Sequence, residues 1–206
     1  MTLPLQIESE RGVCQIVYGA RTEHAHCASQ TALKEVSKIP VVVQDKTWFR
    51  APEFYTDFQK SRWAKVNLYD WSPFEYTCYL DADTRVRRRS FELGFAMLKD
   101  GWDLVLCPSA QQASEVLWHV TQEERAQTLD HWMMTPVQFQ CGVLWFRRSE
   151  SVRKLFAEWR EQWLRFRGED QGAFLRAIRT CPVRMWLLGF PFNGGAVIEH
   201  RWGETR

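Results

Sequence analysis

The sequence predicts an α/β fold, a single domain with a mainly parallel central sheet flanked by helices. Its length of 206 residues suits one domain over residues 1–206 and is sufficient to bury a core. The chain opens with a strand–helix–strand pattern between Gly12 and Val43, which is typical of parallel pairing. Tyr76 to Leu80 is a run of β-forming residues without polar alternation, as expected for a strand buried on both faces of such a sheet.

The opening unit consists of three segments. Gly12 to Ala20 is predicted to be the first strand, ending in a small-residue turn, and Thr22 to Lys38 is predicted to be a helix that Pro40 ends. Val41 to Val43 is a short second strand. The end of the first strand, Tyr18 to Ala20, would lie at the ligand edge of the sheet. There the tyrosine ring either stacks on a nucleobase or belongs to the core.

The central strand ends in two carboxylates, Asp81 and Asp83, separated by Ala82. In an open α/β sheet, ligands bind beyond the carboxyl ends of the strands. Two hard oxygen ligands at that edge suit Mg²⁺ or Mn²⁺, which in turn hold phosphate oxygens. The alternative is an ordinary strand-to-loop junction with solvated carboxylates, because an Asp-x-Asp pair alone is a weak motif.

The remaining elements follow from capping residues and periodicity. Ser149 is a suitable N-cap, and apolar residues at helical spacing from Val152 to Trp163 predict a helix with one face in the core. Asp170 is a plausible cap for the next helix. The other predicted elements are helices over Lys60 to Tyr69 and Phe91 to Leu98, a partly helical stretch over Ala110 to Met134, and strands over Asp103 to Cys107, Phe139 to Phe146 and the segment that delivers His200.

Composition excludes several classes of protein. The net charge of +2 gives no global field toward nucleic acid or membrane. The stretch Met1 to Glu10 is acidic and has no apolar core, so it is not expected to be a signal peptide, and no apolar run has the length of a membrane span. The six cysteines are scattered and suit reduced thiols. We therefore expect a cytoplasmic protein.

A dense basic cluster, Arg85 to Arg89, follows the two carboxylates with one arginine-free position, Val86. Such a cluster is usually a solvated loop. Because this one adjoins a predicted phosphate site, contact with an anionic acceptor or partner is the alternative interpretation.

Four short segments, in order along the chain, resemble motifs of the GT-A glycosyltransferases, most closely the glycogenin-like and bacterial galactosyltransferase-like family of retaining enzymes. The resemblance extends from about Gly12 to the last residue. Gln140 replaces the family's usual Asn, and Arg206 replaces its usual Lys. The segments are Tyr79 to Thr84 (Tyr-Leu-Asp-x-Asp-x), Phe139 to Val143 (Phe-Asn-(Ser/Ala/Cys)-Gly-Val), Asp170 with Gln171 at the start of a helix, and His200 to Arg206 (His-x-x-Gly-x-x-Lys).

The resemblance implies a GT-A, Rossmann-like fold and metal-dependent transfer of a hexose to a hydroxyl acceptor with retention of configuration. The implied donor is a nucleotide-diphosphate sugar, UDP-glucose or UDP-galactose. Asp83 and His200 would bind Mn²⁺ or Mg²⁺, with Asp81 bridging the metal and the donor ribose. Gln140, Asp170 and Gln171 would face the transferred sugar and the acceptor. The implied donor contacts are Tyr18, Gly19, Ala20, Arg62, Lys65, Asp81, Ala82, Asp83, Gly203 and Arg206.

Two other functions stay open at this stage. A metal-dependent phosphodiesterase or nuclease would use Asp81 and Asp83 for two-metal hydrolysis and the cluster Arg85 to Arg89 for backbone phosphates. A non-catalytic nucleotide-sugar-binding domain would keep the same site without turnover. The sequence leaves the oligomeric state open, and the acceptor could be a saccharide, a lipid-linked glycan, a protein or a hydroxylated nucleic-acid base.

Overall fold

The computed structural model describes residues 9–45, 51–109, 117–130 and 137–202. Its strands are β1 (Arg11–Ile16), β2 (Val41–Gln44), β3 (Tyr76–Leu80), β4 (Thr84–Val86), β5 (Leu104–Pro108), β6 (Phe139–Arg147), β7 (Met185–Leu187) and β8 (Ile198–His200). Its helices are α1 (Ala20–Val36), α2 (Asp57–Val66), α3 (Leu68–Trp71), α4 (Leu93–Lys99), α5 (Gln122–Leu129), α6 (Glu150–Leu164) and α7 (Asp170–Thr180).

Within the described ranges, six strands form the central sheet in the order β2-β1-β3-β6-β5-β7. Strand β1 runs parallel to β2 and β3, and β5 runs parallel to β7. Only β6 is antiparallel to its neighbours, β3 and β5. The sheet is therefore mainly parallel, as predicted. Its carboxyl edge combines the ends of β1, β3 and β5 with the beginning of β6.

Apolar cores cover both faces of this sheet. Alternate residues of β3 and β6 point to opposite sides: Cys78 and Val143 pack with α1 and α4, whereas Tyr79 and Leu144 pack with α2, α6 and α7. Burial on both faces explains why these strands read as continuous apolar runs. The predicted bounds of β3 are confirmed, and those of β6 differ by one residue.

Helix α6 follows the predicted pattern. The Ser149 hydroxyl accepts a hydrogen bond from the Val152 amide at 3.3 Å. All five stripe residues, Val152, Leu155, Phe156, Trp159 and Trp163, are buried. The capping role predicted for Asp170 is wrong: Glu169 occupies the N-cap position of α7, no side chain caps that helix, and Asp170 is its first helical residue.

Several element boundaries differ from the sequence prediction by one to three residues; α1, for example, covers Ala20–Val36 rather than Thr22 to Lys38. The first strand ends at Ile16, and the predicted small-residue turn follows it: Gly19 adopts φ 87°, and α1 begins at Ala20. The helix predicted over Lys60 to Tyr69 is divided at Asn67 into α2 and α3. Among the residues that the structure describes, none of the helices combines the length and apolarity that a bilayer crossing requires.

A second, two-stranded sheet pairs β4 with β8 in antiparallel register. Thr84 lies opposite His200, and the Arg201 amide donates to the Asp83 carbonyl at 2.9 Å. This small sheet brings the end of the described chain back to the carboxyl end of β3.

Candidate active site

A cleft of about 620 Å³ lies at the carboxyl edge of the central sheet. Its position follows from the topology, because the strand direction places the loops after β1 and β3 on the same edge as the start of β6. The predicted site residues that line it are Tyr18, Gly19, Ala20, Arg62, Lys65, Asp81, Ala82, Asp83, Gln140, Asp170, Gln171 and His200. Gly203 and Arg206 lie outside the described residues.

Three of these residues form a cluster with the chemistry of a metal site. One ligand atom from each of Asp81, Asp83 and His200 lies within 4.8 Å of the others. His200 Nε2 is 3.1 Å from Asp83 Oδ1 and 4.0 Å from Asp81 Oδ2. Carboxylate oxygens with one imidazole nitrogen suit Mn²⁺ or Mg²⁺, which leave further positions for phosphate oxygens and water.

The surroundings of His200 fit this role. Its Nδ1 lies 2.6 Å from Asn193 Oδ1, and an amide oxygen can only accept, so the proton belongs on Nδ1. In the neutral imidazole, Nε2 then carries the lone pair and faces the two carboxylates, as in histidines oriented by an outer hydrogen bond to ligate a metal. Gly142 leaves the necessary room, because a Cβ there would lie 2.5 Å from both Asp81 Oδ2 and His200 Cε1.

Lys65 joins the cluster to α7. Its ammonium lies 3.0 Å from Asp81 Oδ1 and 3.0 Å from Asp170 Oδ2, and its side chain is 2% exposed. The Tyr79 hydroxyl donates to Asp81 Oδ1 at 2.5 Å. Burial raises the pKa of Asp81, but Lys65 and then His200 and Arg62 outweigh it and lower that pKa to about 2. Asp81 is therefore ionised at neutral pH and its orientation is fixed from two sides.

Arg62 and Asp170 extend the same network. Arg62 Nη2 donates to Glu169 Oε2 at 2.9 Å, and Arg62 Nε lies 3.6 Å from Asp170 Oδ1. Burial raises the pKa of Asp170, yet Lys65 and Arg62 outweigh it and leave that pKa below its usual value. Lys65 and Arg62 thus line the cleft while their charges are engaged by acidic residues of the cleft.

The predicted sugar-facing and nucleobase-facing residues lie in the same cleft. Gln171 Nε2 donates to Gln140 Oε1 at 3.1 Å, which connects the start of α7 to the start of β6. Tyr18 is only 7% exposed, and its hydroxyl lies 3.3 Å from the Asp45 carbonyl oxygen. The cleft thus contains an amide pair on the β6 side and the end of β1 on the other.

The basic cluster Arg85 to Arg89 does not form one surface. Arg85 is buried, and its Nη1 donates to the carbonyls of Ala82 and Thr84. Arg87 forms an ion pair with Glu199, and Arg89 forms one with Glu92. None of the cluster's arginines lines the cleft.

Sequence reasoning did not single out several residues of the site. Asn193, which orients His200, has no motif of its own, and its role depends on the fold of the 193–200 turn. Trp118 and Trp202 line the cleft, and the high tryptophan content was the only signal available for them. His119, Gln138 and Glu169 also line it.

Comparison with known proteins identifies the fold. Mouse xyloside xylosyltransferase 1 superposes with a TM-score of 0.61 at 14% identity, over 95% of this chain and 99% of that chain. An active-site mutant of LgtC superposes with a TM-score of 0.60 at 13% sequence identity, over 93% of this chain and 87% of that chain. GlyE of Streptococcus pneumoniae TIGR4 superposes with a TM-score of 0.57 at 14% sequence identity, over 90% of this chain but only 47% of that chain. No family model matches the sequence, and no curated protein is significantly similar to it.

These neighbours are glycosyltransferases by name, and LgtC is a galactosyltransferase whose structure holds donor and acceptor sugar analogues. The chain therefore has the GT-A-like fold of these glycosyltransferases, with a three-residue candidate metal site in its cleft.

Proposed function

We propose that this chain is a single-domain, metal-dependent glycosyltransferase that moves a hexose from a nucleotide-diphosphate sugar to a hydroxyl acceptor with retention. UDP-glucose and UDP-galactose are the proposed donors. The observation that carries the proposal is the convergence of Asp81, Asp83 and His200 in the cleft of a GT-A-like fold, next to the ionised Asp170.

The metal site would take Mn²⁺ or Mg²⁺ on Asp83 and His200, with Asp81 between the metal and the donor ribose. A divalent ion there supplies a Lewis acid for the charge that grows on the nucleoside diphosphate as the sugar–phosphate bond breaks. The chain's own contribution is orientation: Asn193 fixes His200, while Lys65 and Tyr79 fix Asp81.

The donor would lie along the edge from β1 to β3. Tyr18, Gly19 and Ala20 at the end of β1 are the proposed nucleobase contacts, and Ala82 is the proposed backbone contact between the two carboxylates. Gly203 and Arg206 stay predicted contacts to the diphosphate.

The sugar-facing side would consist of Gln140, Asp170 and Gln171. Asp170 is the proposed carboxylate near the anomeric carbon, because Lys65 and Arg62 hold it as an anion at the cleft. The Gln140–Gln171 pair supplies amide groups for sugar hydroxyls.

The direct test is turnover of a panel of nucleotide sugars with Mn²⁺, followed by mass spectrometry on acceptor pools. We expect release of UDP from UDP-glucose or UDP-galactose, and Asp83→Asn should reduce it by about 10²-fold or more, even at saturating Mn²⁺. Asp100→Asn, at an exposed aspartate after α4, is the matched control and should behave as wild type. Near wild-type rates for Asp83→Asn would show that the assignment is wrong.

Other outcomes would point to the alternatives. Cleavage of a polynucleotide, or release of UMP and sugar 1-phosphate from the donor, would favour a phosphodiesterase. Calorimetry that shows tight donor binding without turnover would favour a non-catalytic binding domain.

The proposed location is the cytoplasm. Burial raises the pKa of the Cys14 thiol, and likewise that of Cys107, to about 12, so these thiols stay protonated and unreactive. Such buried thiols suit a reducing compartment.

A further inference from the structure

We propose that the acceptor is a neutral saccharide whose ring stacks on Trp118 and Trp202 at the cleft; this inference rests on the proposed function. Both tryptophans line the cleft, with 50% and 52% of their surfaces exposed. Aromatic side chains supply much of the lining of small-molecule sites, where the ligand covers them. A sugar ring presents an apolar face of C–H bonds, which packs on such a ring.

Trp202 is held beside the metal cluster. Its ring lies 5.0 Å from the His200 ring with an interplanar angle of 30°. Gly194 makes room for it, because a Cβ at that residue would lie 2.6 Å from the tip of the indole, and its φ of +116° favours glycine. The indole is thus packed on one side and open on another, next to the proposed reaction centre.

The position of Trp118 is set by the turn that precedes it. The preceding residue, Leu117, is completely buried and adopts φ 55°, a left-handed conformation that is unfavourable for leucine. The Leu117 amide donates to Gln138 Oε1 at 2.8 Å, which anchors the turn to the start of β6. Strained backbone of this kind persists only where the surroundings hold it in place, and it concentrates at ligand sites. The burial of Leu117 and its hydrogen bond to Gln138 hold this turn in place and so position the exposed Trp118 ring at the cleft.

The polar side chains that the segments around the end of β5 and the start of β6 contribute to the cleft are uncharged. The lining residues contributed by the end of β5 and the start of β6 are Ser109, Gln138 and Gln140, and Gln171 bonds to the last of them. Hydroxyl and amide groups donate to and accept from sugar hydroxyls. Aromatic faces combined with amide side chains match a neutral sugar, which has an apolar ring face and a hydroxyl edge.

A nucleic acid is less well matched, because its phosphates require available cations. Among the described residues that line the cleft, the Lys and Arg side chains are Arg21, Arg62 and Lys65, and the last two are engaged by Glu169, Asp81 and Asp170. None of the arginines in the cluster Arg85 to Arg89 lines the cleft.

The test compares Trp118→Ala and Trp202→Ala with Trp186→Ala, an equally drastic change at a 40%-exposed tryptophan of β7 outside the cleft. Binding to a broad array of neutral glycans is measured with UDP and Mn²⁺ present, and the best glycan is then titrated by calorimetry. We expect each cleft variant to bind that glycan about 10-fold more weakly or worse, as for loss of an aromatic anchor, and the control to bind as wild type. Trp202→Phe, which keeps a ring face, should recover most of the affinity.

Three results would overturn the inference: no binding to any neutral glycan, unchanged affinity in both cleft variants, or preferred binding of a single-stranded oligonucleotide. Failure of the proposed function is a separate result, because it is measured as donor turnover by the wild-type chain. If the wild-type chain turns over the donor but glycan affinity does not depend on Trp118 or Trp202, only the stacking inference is wrong. If glycan affinity depends on the tryptophans but no donor is turned over, only the proposed enzymatic function is wrong.

Discussion

At the scale of single residues, the tightest steric constraint of the site is Gly142. A Cβ at this position would lie 2.5 Å from Asp81 Oδ2 and 2.5 Å from His200 Cε1. Real Cβ contacts are not this short, so any side chain here displaces both proposed ligands. The glycine in the Phe139–Val143 segment therefore has a physical reason in this molecule that does not depend on resemblance.

We expect Gly142→Ala to reduce metal-dependent donor turnover by roughly 10²-fold, because displacement of a reacting group by about 1 Å has that effect. Steady-state rates over a Mn²⁺ titration measure it, and circular dichroism checks that the fold is intact. Gly189→Ala is the matched control, since a Cβ there has an ordinary 3.5 Å contact with Pro191. Equal rates for the two variants would contradict the steric argument.

At the scale of elements, Asp103 connects four segments at the start of β5. Its Oδ1 accepts from Arg147 Nε of β6 at 2.9 Å and from the Ser149 hydroxyl before α6 at 3.1 Å. Its Oδ2 accepts from the Arg184 amide before β7 at 3.1 Å. Burial raises the pKa of Asp103, but these donors outweigh it and hold that pKa below its usual value.

Because the folded-state pKa of Asp103 lies below the unfolded value, its contribution to stability is complete above about pH 4 and is lost as the pH falls through the folded-state pKa. We expect Asp103→Asn to lower the free energy of unfolding by about 2 kcal/mol at pH 7, as for loss of hydrogen bonds to a charged group. The difference from wild type should shrink below about pH 4.

Urea denaturation of both proteins from pH 7 to pH 2.5 measures this difference. Asp100→Asn removes an exposed carboxylate and serves as the reference for general acid effects. A difference that is as large at pH 2.5 as at pH 7 would show that ionised Asp103 is not the source of the stability.

Among the elements, the strands that are buried on both faces were predicted most accurately from the sequence. The strands β3 and β6 were predicted nearly to the residue because continuous apolar runs report burial on both faces. Asp170 was misread as a cap because capping preference is local, whereas its actual partner, Lys65, comes from α2. Asn193, Trp118 and Trp202 could not be predicted, because their roles depend on tertiary neighbours and on exposure, which no local pattern reports.

At the scale of the whole molecule, the charged network around Lys65 joins distant parts of the chain. The ammonium from α2 bridges the end of β3 and the start of α7. Burial lowers the pKa of Lys65, but Asp170 and Asp81 outweigh it and raise that pKa, so the residue is charged throughout the physiological range. Removal of this cation leaves two carboxylates without their shared partner.

We expect Lys65→Met to lower the free energy of unfolding by about 3–5 kcal/mol, the usual effect of breaking a buried ion pair from one side. Equilibrium denaturation at pH 7 is the measurement. Lys99→Met, which removes a half-exposed lysine paired with Glu10, should change the free energy by less than about 1 kcal/mol. Similar losses of unfolding free energy in the two variants would mean that burial of the Lys65 network adds little to stability.

The antiparallel strand β6 and the pairing of β4 with β8 have a consequence for synthesis of the chain. Asp83 and His200 are 117 residues apart, and the edge of β3 that carries Asp81 stays open until β6 has been translated. At about 5–20 residues per second, the two carboxylates leave the ribosome several seconds before the imidazole. The nascent chain therefore carries the two carboxylates before their histidine, and the three-residue candidate metal site is complete only when β8 has paired with β4.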